Sequence, residues 1–333
     1  MTDKNVKLVL ANRPKGWVQE SDFKLVETDC PKPGEGEVLL KTLYLSVDPY
    51  MRNRMDDTKS YSAKVEIGQV MVGGTLSEVV ESNNPRFQPG DTVASNAGWQ
   101  KYVVSDGKEL RRVDPELIPL TAYLGTAGMP GVTAWVGLFE IAQLKEGENV
   151  VVSAASGAVG SVAGQLAKLK GCRVVGIAGG KDKCDYVVKE LGFDECIDYK
   201  APDFYANLKK ATPNGVDVYF ENVGGPILDA VLRQMNPFGR IPVCGLISEY
   251  NATEPYGLKN YRVILTMRLR VQGFIVSEFP QSWPEALDQL SKWVAEGKLK
   301  YRETITEGLE NAPKAFIGML KGENFGKQLV KVS

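Results

Sequence analysis

The sequence predicts an α/β protein in which a doubly wound parallel sheet follows a compact β-rich region. Three observations support this prediction. From residue 148 onward, short apolar runs alternate with helical segments, as in strands joined by helical crossovers. Before about residue 120, β-branched runs are separated by turns such as PGEG at 33–36 and PGD at 89–91. At 148–171, a strand, a glycine turn and a helix follow one another as in a dinucleotide-binding unit.

Length and composition limit the possible classes. The 333 residues are enough for two domains with proper cores, and 43% hydrophobic with 24% charged residues is ordinary for a globular protein. The net charge of −1 gives no global field that would recruit nucleic acid or an anionic membrane. The charged start MTDKNVKLVL lacks a signal-peptide core, and no apolar run reaches membrane-spanning length, so we expect a cytoplasmic protein.

The cysteine and histidine content decides more. Five cysteines without paired spacing indicate reduced thiols rather than a disulfide framework. The chain has no histidine, which excludes Ser-His-Asp and Cys-His mechanisms and every histidine-ligated metal site. Proton transfer would then need Tyr, Lys, Asp, Glu, Cys or water.

Alternating segments predict the elements of both parts. Strands are predicted in the first part at 6–10, 38–45, 70–80, 92–94 and 102–104. An apolar helix at 133–144 lies in the passage between the parts. In the second part we predict strands at 150–153, 173–177, 196–198, 217–221, 240–245 and 271–276, and helices at 160–170, 182–191, 203–211 and 226–235. Two final helices are predicted to begin at a capping box at 282–285 and at 311–313, before a closing strand at 328–332.

The glycine turn has the pattern A-x-G-x-x-G, with Ala155 where the first glycine of the usual motif stands. Gly157 would let backbone N–H groups approach a pyrophosphate at the helix N-terminus, and Gly160 would let helix and strand pack closely. A plain strand-to-helix turn is the alternative. The regular alternation around the turn favours the dinucleotide site.

The tip of the second strand indicates which nucleotide is bound. An NAD site would place Asp or Glu there to accept from the ribose 2′-OH, but the sequence is Ala178-Gly179-Gly180. Lys181 and Lys183 follow, where a 2′-phosphate would find cationic donors. Two lysines at a helix start can also be a solvated face. The missing acid favours NADPH over NADH.

Several motifs carry a resemblance to a known family. They are GDTVA at 90–94, AASGAVG at 154–160, ENVGG at 221–225, CGLISEYN at 244–251, QGFIV at 272–276 and KGENFGK at 321–327. In this order they resemble the zinc-independent medium-chain dehydrogenase/reductases, in the branch of prostaglandin reductase, plant alkenal double-bond reductase and bacterial curcumin reductase. GGKDKC at 179–184 and RIPVC at 240–244 are most similar to the bacterial curcumin-reductase type. The resemblance covers essentially the whole chain.

The resemblance implies the domain organisation and the cofactor contacts. A GroES-like substrate domain would comprise 1–122, with 300–333 returning to it, and a Rossmann NADPH-binding domain would comprise 123–299. The pyrophosphate would lie at 157–160, the 2′-phosphate at Lys183 and Tyr199, and the ribose at Asn222. The full set of implied cofactor residues is Gly157, Ala158, Val159, Gly160, Gly180, Lys183, Tyr199, Asn222, Cys244, Gly245, Leu246, Ile247, Ser248, Tyr250, Phe274, Ile275, Val276 and Asn324.

The family's reaction is the NADPH-dependent reduction of the carbon–carbon double bond of α,β-unsaturated ketones and aldehydes. The resemblance makes Tyr250 the donor to the developing enolate and Tyr50 a substrate-orienting residue, with Met51 and Ser277 also near the substrate. Either tyrosine can instead merely pack against the nicotinamide. Where animal members carry a substrate tyrosine, this chain has Thr266.

Two other functions stay open at this point. The related fold also passes hydride to quinones, so an NADPH:quinone reductase is the alternative enzyme. A non-catalytic NADPH-binding protein of the same fold is the alternative from another class. The resemblance also implies a homodimer through edge pairing of the nucleotide-domain sheets, with no metal, no nucleic acid and no membrane partner.

Overall fold

The protein, described here by a computed structural model over residues 4–333, divides into two compact units. The first comprises the residues up to Leu124 together with Glu303–Ser333, and the second spans Gly125–Arg302. In chain order the strands are β1 (Lys4–Leu10), β2 (Phe23–Asp29), β3 (Val38–Val47), β4 (Thr75–Ser82), β5 (Thr92–Ser95), β6 (Tyr102–Ser105), β7 (Arg111–Arg112), β8 (Asn149–Ser153), β9 (Arg173–Ala178), β10 (Glu195–Asp198), β11 (Val216–Phe220), β12 (Met235–Val243), β13 (Arg270–Gly273), β14 (Glu303–Glu307) and β15 (Lys327–Lys331). The helices are α1 (Tyr50–Asn53), α2 (Met129–Trp135), α3 (Gly160–Leu169), α4 (Lys181–Lys189), α5 (Phe204–Ala211), α6 (Gly225–Leu232), α7 (Arg262–Thr266), α8 (Trp283–Ala295) and α9 (Ala312–Leu320). None of these helices is long and apolar enough to cross a membrane.

The first unit is built on a mostly antiparallel sheet. Its strand order is β14-β15-β3-β4-β5-β7, β6 also pairs with β3, and β1 and β2 form a separate antiparallel pair. The C-terminal strand β15 lies antiparallel to β3, so the end of the chain completes a sheet that the N-terminal part begins. Phe23 and Trp99 stack with ring centroids 5.3 Å apart, and Phe316 of α9 meets both rings edge-on.

A buried ion pair ties β15 to the segment after β3. Lys327 Nζ donates to Asp48 Oδ1 at 2.8 Å and to the Val47 carbonyl at 2.8 Å. Ser46 Oγ donates to the other carboxylate oxygen of Asp48. The two charged side chains are 4% and 7% exposed. Because α1 begins two residues later with Tyr50, this pair fixes where that tyrosine stands in the first unit.

The second unit contains a six-stranded parallel sheet. The strand order is β10-β9-β8-β11-β12-β13. The chain therefore proceeds from β8 outward to β10, returns to the middle at β11, and proceeds outward the other way to β13. In such a sheet, ligands bind beyond the carboxyl ends of the strands, where the order reverses. Here that point lies between β8 and β11. The predicted doubly wound sheet is confirmed.

Glycines allow β8, β9 and the helices that follow them to pack closely. A Cβ at Gly160 would lie 2.3 Å from the Ala154 carbonyl oxygen. At Gly176 of β9, a Cβ would lie 2.9 Å from the Cβ of Ala155. Ala155 thus occupies space that a glycine on the neighbouring strand leaves open. This explains why alanine is accommodated at the first position of the glycine motif.

Two predicted strand and helix boundaries are wrong. The strand expected at 70–80 begins only at Thr75, because Gly73 lies against the core. A Cβ at Gly73 would come within 2.8 Å of Leu45 Cδ1. The helix expected at 226–235 ends at Leu232, since Met235 already starts β12. Strand β2 was not predicted, and its sequence explains this: Phe23 is its one buried residue.

Two helical predictions also need correction. The helix expected at 133–144 begins at Met129 and passes at Val136–Ile141 into a π-helical turn. The predicted capping box before α8 is wrong, because Ser282 makes no capping hydrogen bond and instead donates to Glu140 Oε1 at 3.0 Å. A tertiary partner therefore replaces the local one that the motif suggested.

We predict that Lys327→Met destabilises the protein by about 3–5 kcal/mol, because it leaves the buried Asp48 carboxylate without its cation. The quantity to measure is the free energy of unfolding in urea. The matched control is Lys331→Met on the same strand, whose partner Glu307 is 73% exposed. That change should cost less than about 0.5 kcal/mol. Equal losses in the two variants would contradict the role given to the buried pair.

Candidate functional site

The sequence-predicted cofactor residues of the second unit follow the carboxyl ends of its parallel strands. They are Gly157, Ala158, Val159 and Gly160 after β8, Gly180 and Lys183 after β9, Tyr199 after β10, Asn222 after β11, Cys244, Gly245, Leu246, Ile247, Ser248 and Tyr250 after β12, and Phe274, Ile275 and Val276 after β13. Because the strands are parallel, these ends lie at one edge of the sheet. The topology thus brings together residues that are far apart in the sequence.

The turn after β8 has a backbone that a dinucleotide site requires. Ala154 adopts a left-handed conformation with φ of 49°. The Ala155 N–H donates to the Ile177 carbonyl at 3.0 Å, and the Gly157 N–H donates to the Ala154 carbonyl at 2.9 Å. Helix α3 then begins at Gly160. The turn therefore delivers the N-terminus of α3 directly beyond the sheet edge, where an anion is stabilised by N–H groups and the helix dipole.

The tip of β9 carries positive charge and no carboxylate of an NAD site. Lys183 on α4 and Lys200 after β10 lie close enough that the charge of Lys200 acts on Lys183. Partial burial, and secondly that charge, lower the pKa of Lys183. The Lys200 ammonium lies 5.9 Å from the centre of the Tyr199 ring. An anion between the two ammonium groups would relieve their repulsion, which suits a 2′-phosphate.

The Asp198 carboxylate lies at this tip and is hydrogen-bonded to backbone N–H groups. Its Oδ1 accepts from the N–H of Gly180 and from the N–H of Lys200, each at 2.9 Å. The carboxylate thereby joins the end of β10 to the start of α4. Sequence reasoning missed Lys200, although its position just after β10, next to β9 in a doubly wound sheet, was a usable signal.

Lys181, which the sequence also offered as a phosphate donor, is engaged elsewhere. Its ammonium pairs with Asp185 Oδ2 at 2.6 Å, and the same oxygen accepts from Lys189 at 3.0 Å. The side chain of Lys181 is 81% exposed. Lys181, Asp185 and Lys189 form a series of ion pairs on the exposed face of α4. Lys181 therefore fits the alternative that the sequence left open, a lysine on a solvated helix face.

A buried carboxylate joins the two strands at the switch point. Glu221, fully buried after β11, accepts at Oε1 from Ser153 Oγ at 2.9 Å and from the Val223 N–H at 2.5 Å. Asn222 donates from its backbone N–H to Ser153 Oγ and from its amide to the Ser153 carbonyl, at 2.9 and 2.8 Å. Burial raises the pKa of Glu221. Sequence reasoning named Asn222 but missed the glutamate that fixes it.

The loop after β12 is hydrogen-bonded to the backbone of the same residue, Glu221. The N–H groups of Cys244 and Gly245 donate to the Glu221 carbonyl at 2.9 and 3.2 Å. The hydroxyl oxygen of Tyr250 accepts from the Leu246 N–H at 3.2 Å. This contact holds the Tyr250 hydroxyl at a defined place in the loop. Burial raises the pKa of the Cys244 thiol to about 12, so it stays protonated.

The remaining residues predicted in the second unit differ in exposure. Phe274 is 8% exposed and packs inward, where its Cζ would lie 2.9 Å from a Cβ at Gly137. Ser277 is exposed in the turn Val276–Glu278. Thr266 ends α7 and is exposed. The Phe274 side chain is thus part of the core. Only its backbone lies at the carboxyl end of β13, where the cofactor was predicted.

Three predicted residues belong to the first unit. Tyr50 is partly exposed, and its pKa is raised by burial and by the nearby Asp48 carboxylate, so its hydroxyl is neutral at any ordinary pH. Met51 is fully buried. Its Cε lies 3.1 Å from the position that a Cβ would occupy at Gly73. Its side chain therefore packs in the core rather than on a substrate. Asn324 donates from its amide to the Gly326 carbonyl at 2.8 Å.

The Asp229 carboxylate on α6, which was not predicted from the sequence, holds the loop that follows Tyr250 by hydrogen bonds. Asp229 accepts from the Tyr256 hydroxyl at 3.2 Å and from the N–H groups of Lys259 and Asn260 at 3.1 and 2.8 Å. The Asn260 amide also donates to the Asp229 carbonyl. One helical carboxylate thus orders the segment around 256–260.

The available donors do not fit a zinc site. The chain has no histidine. Within residues 4–333, no group of three or more Cys, Asp or Glu side chains is placed so as to hold a metal ion. Catalytic and structural zinc both need at least three such protein ligands.

We predict that Glu221→Gln removes a pH-dependent loss of stability. A raised pKa in the folded protein means that stability is greatest below the unfolded value of 4.5 and falls as the pH rises above it. The Gln amide oxygen can still accept from Ser153 and Val223. The variant should therefore gain stability relative to the parent as the pH rises above the unfolded value of 4.5, measured by urea unfolding. The control is Glu81→Gln at an exposed position, where the difference in unfolding free energy from the parent should not depend on pH. A pH-independent difference for Glu221→Gln would contradict the prediction.

Comparison with known proteins accounts for nearly the whole chain. Residues 7–113 match the model of the N-terminal domain of oxidoreductase, and residues 158–292 match the model named zinc-binding dehydrogenase. The chain is 52% identical to NADPH-dependent curcumin reductase of Escherichia coli, over 99% of this chain and 97% of the relative. It is 47% identical to prostaglandin reductase 1 of Rattus norvegicus, over 95% and 96%.

A plant enzyme and a crystal structure extend the comparison. The chain is 43% identical to the NADP(+)-dependent 2-alkenal reductase of Nicotiana tabacum, over 99% of this chain and 98% of the relative. The structure of CurA from Vibrio vulnificus in complex with NADPH superposes with a TM-score of 0.94 at 49% identity, over 98% and 99% of the two chains. This chain belongs to the medium-chain dehydrogenase/reductase family, in the branch that contains curcumin, prostaglandin and 2-alkenal reductases.

Proposed function

We propose that this protein is an NADPH-dependent reductase of the carbon–carbon double bond in α,β-unsaturated ketones and aldehydes. The observation that carries the cofactor assignment is the cationic tip of β9, where an NAD site would carry an acid. Lys183 lies just after this tip, and Lys200 Cε lies 3.1 Å from the position of a Cβ at Gly179. The relative solved with NADPH and those named as NADPH-dependent support the same choice. Curcumin and 2-alkenals, named for two relatives, share a double bond conjugated to a carbonyl group.

The chain's own residues divide the work of such a reaction. When bound, NADPH supplies a hydride to the β-carbon of the substrate. The turn at 157–160 holds the pyrophosphate, and Asn222 and the loop 244–250 hold the ribose and nicotinamide. Most of the acceleration would come from this positioning.

Two tyrosines serve the substrate in this proposal. The Tyr250 hydroxyl donates to the carbonyl oxygen as negative charge develops there, and the hydrogen bond from the Leu246 N–H to its oxygen fixes where this hydroxyl stands in the loop. Tyr50 orients the substrate as a neutral hydroxyl. Ser277 is a third polar group near the substrate in this proposal. The chemistry is metal-free, which the lack of histidine and of a fitting ligand set supports.

The test is the decrease of NADPH absorbance with three acceptors, an enone, a 2-alkenal and a quinone. We expect turnover with the enone or the alkenal and loss of the carbon–carbon double bond in the product. Turnover with the quinone alone would favour a quinone reductase. Tight NADPH binding without turnover of any acceptor would favour a non-catalytic NADPH-binding protein.

Removing one phosphate-binding lysine should change cofactor choice. We predict that Lys183→Ala raises the KM for NADPH by about 10- to 100-fold, the size of a lost charge-assisted contact, and leaves the KM for NADH unchanged. The matched control is Lys181→Ala, two residues away on the same helix but paired with Asp185. It should change either KM by less than about twofold. Equal effects on the two cofactors would refute the assignment of Lys183.

Removing the proposed donor should affect the chemical step. We predict that Tyr250→Phe lowers kcat with a saturating enone by about 100-fold, because the carbonyl oxygen loses a fixed hydroxyl donor. NADPH affinity, measured by fluorescence titration, should stay within about twofold because the ring is retained. Tyr205→Phe on α5, 56% exposed, is the control. Full activity of Tyr250→Phe would remove it as the donor.

We further propose a cytoplasmic homodimer. Strand β13 is the last of its sheet, and all four of its residues are exposed. Val271 and the neighbouring Leu265 expose apolar surface, at 42% and 78%. Pairing of two β13 edges would cover both the free backbone and this surface. The reduced state of the five cysteines fits the cytoplasm.

Light scattering should therefore give twice the mass of one chain, and Val271→Asp should give the single-chain mass by placing a charge in the edge contact. Leu117→Asp, at a leucine that is 51% exposed and lies outside the second unit, is the control and should remain dimeric. A monomeric parent protein would contradict the dimer.

A further inference from the structure

Two cysteines of the second unit face each other across a helix and a strand. Cys196 of β10 pairs in register with Gly176 of β9, so both point to the same face of the sheet. A Cβ at Gly176 would lie 2.9 Å from Val187 Cγ1 on α4. Val187 comes three residues after Cys184 and shares its face of the helix. Cys196 therefore points at the face of α4 that carries Cys184.

The two thiols are hydrogen-bonded, with Cys196 as the donor. This bond lowers the pKa of Cys184, whereas the pKa of Cys196 is raised by the same bond and by burial. Both side chains are partly exposed, and both thiols are reduced. A partly exposed thiol with a lowered pKa, placed beside a second thiol, is the arrangement of a redox-sensitive pair.

We propose that Cys184 and Cys196 are a modification site that forms a reversible disulfide on contact with a hydroperoxide. The Cys184 thiolate attacks the peroxide, an S–O bond forms, the O–O bond breaks, and the leaving hydroxide takes up a proton as water. The Cys196 sulfur then attacks Cys184, an S–S bond forms, and hydroxide leaves and takes the Cys196 proton. With hydrogen peroxide, two thiols lose two electrons and one peroxide becomes two waters.

The pair lies between the two halves of the 2′-phosphate site. Cys184 directly follows Lys183, and Cys196 precedes Tyr199 and Lys200 on the same strand end. A disulfide requires the sulfurs to be about 2.05 Å apart, closer than any hydrogen-bonded pair of thiols. Bond formation therefore draws the first turn of α4 toward β10 and displaces Lys183. We expect weaker NADPH binding in the oxidised protein, a consequence that rests on the proposed function.

The disulfide itself is tested without any cofactor. The reduced protein is treated with hydrogen peroxide, remaining thiols are alkylated, and the chain is digested with trypsin. The sequence places the two cysteines in separate tryptic peptides, 184–189 and 190–200. We expect these peptides to be joined, with a mass two hydrogens below their sum, and to separate on reduction. Cys30→Ser should not change this result, whereas Cys184→Ser and Cys196→Ser should each abolish it.

The effect on the cofactor is tested by titrating NADPH and NADH into the same samples. Oxidation should raise the dissociation constant for NADPH by about tenfold, the size of one lost charge-assisted contact, and leave that for NADH unchanged. Reduction should restore it. Cys184→Ser should not respond to peroxide.

The outcomes separate the two proposals. Peptides that carry singly oxidised or alkylated cysteines and no link would overturn the disulfide. A linked pair with unchanged NADPH affinity, or with equal losses for both cofactors, would overturn its effect on the phosphate site. A reduced protein that does not prefer NADPH would overturn the cofactor assignment of the proposed function, while the linked peptides would still establish the disulfide.

Discussion

The hydrogen bonds of Ser153, Glu221 and Asn222 are the constraint on which the rest of the nucleotide unit depends. They join the carboxyl ends of β8 and β11 at the point where the strand order reverses. The carbonyl of Glu221 then receives the N–H groups of the loop after β12. One buried carboxylate thus sets the spacing between the glycine turn on one side and the loop of Tyr250 on the other. Its desolvation is a cost that the surrounding N–H and O–H donors offset.

Comparable devices recur where a loop must be held by a rigid element. Asp48 is fixed by Lys327 and Ser46 immediately before Tyr50, and Asp229 fixes the segment that follows Tyr250. Asp229 stands on α6 and receives donors from a loop, whereas Asp48 stands in the loop and receives donors from strands β3 and β15; both carboxylates are buried. Side chains for a substrate are more precisely placed by such anchoring than by a loop alone.

The sequence predicted the doubly wound sheet well because its signal is periodic and local. The small-residue turn and the absent acid after β9 also needed no partner to be recognised. What sequence reasoning missed depends on contacts between distant segments. Lys200 acts on the site only through its neighbour Lys183, and the hydroxyl of Ser282 bonds to Glu140 rather than to its own helix. Residue type also cannot distinguish the fully buried Met51 from its partly exposed neighbour Tyr50.

The convergence of Lys183 and Lys200 also has a consequence for the protein without its nucleotide. Two like charges near each other attract counter-ions from solution. Phosphate and sulfate are such counter-ions, and a higher ionic strength weakens whatever anion binds there. The affinity of this place for an anionic group is therefore a property of the protein together with its salt, and it depends on the composition of the buffer.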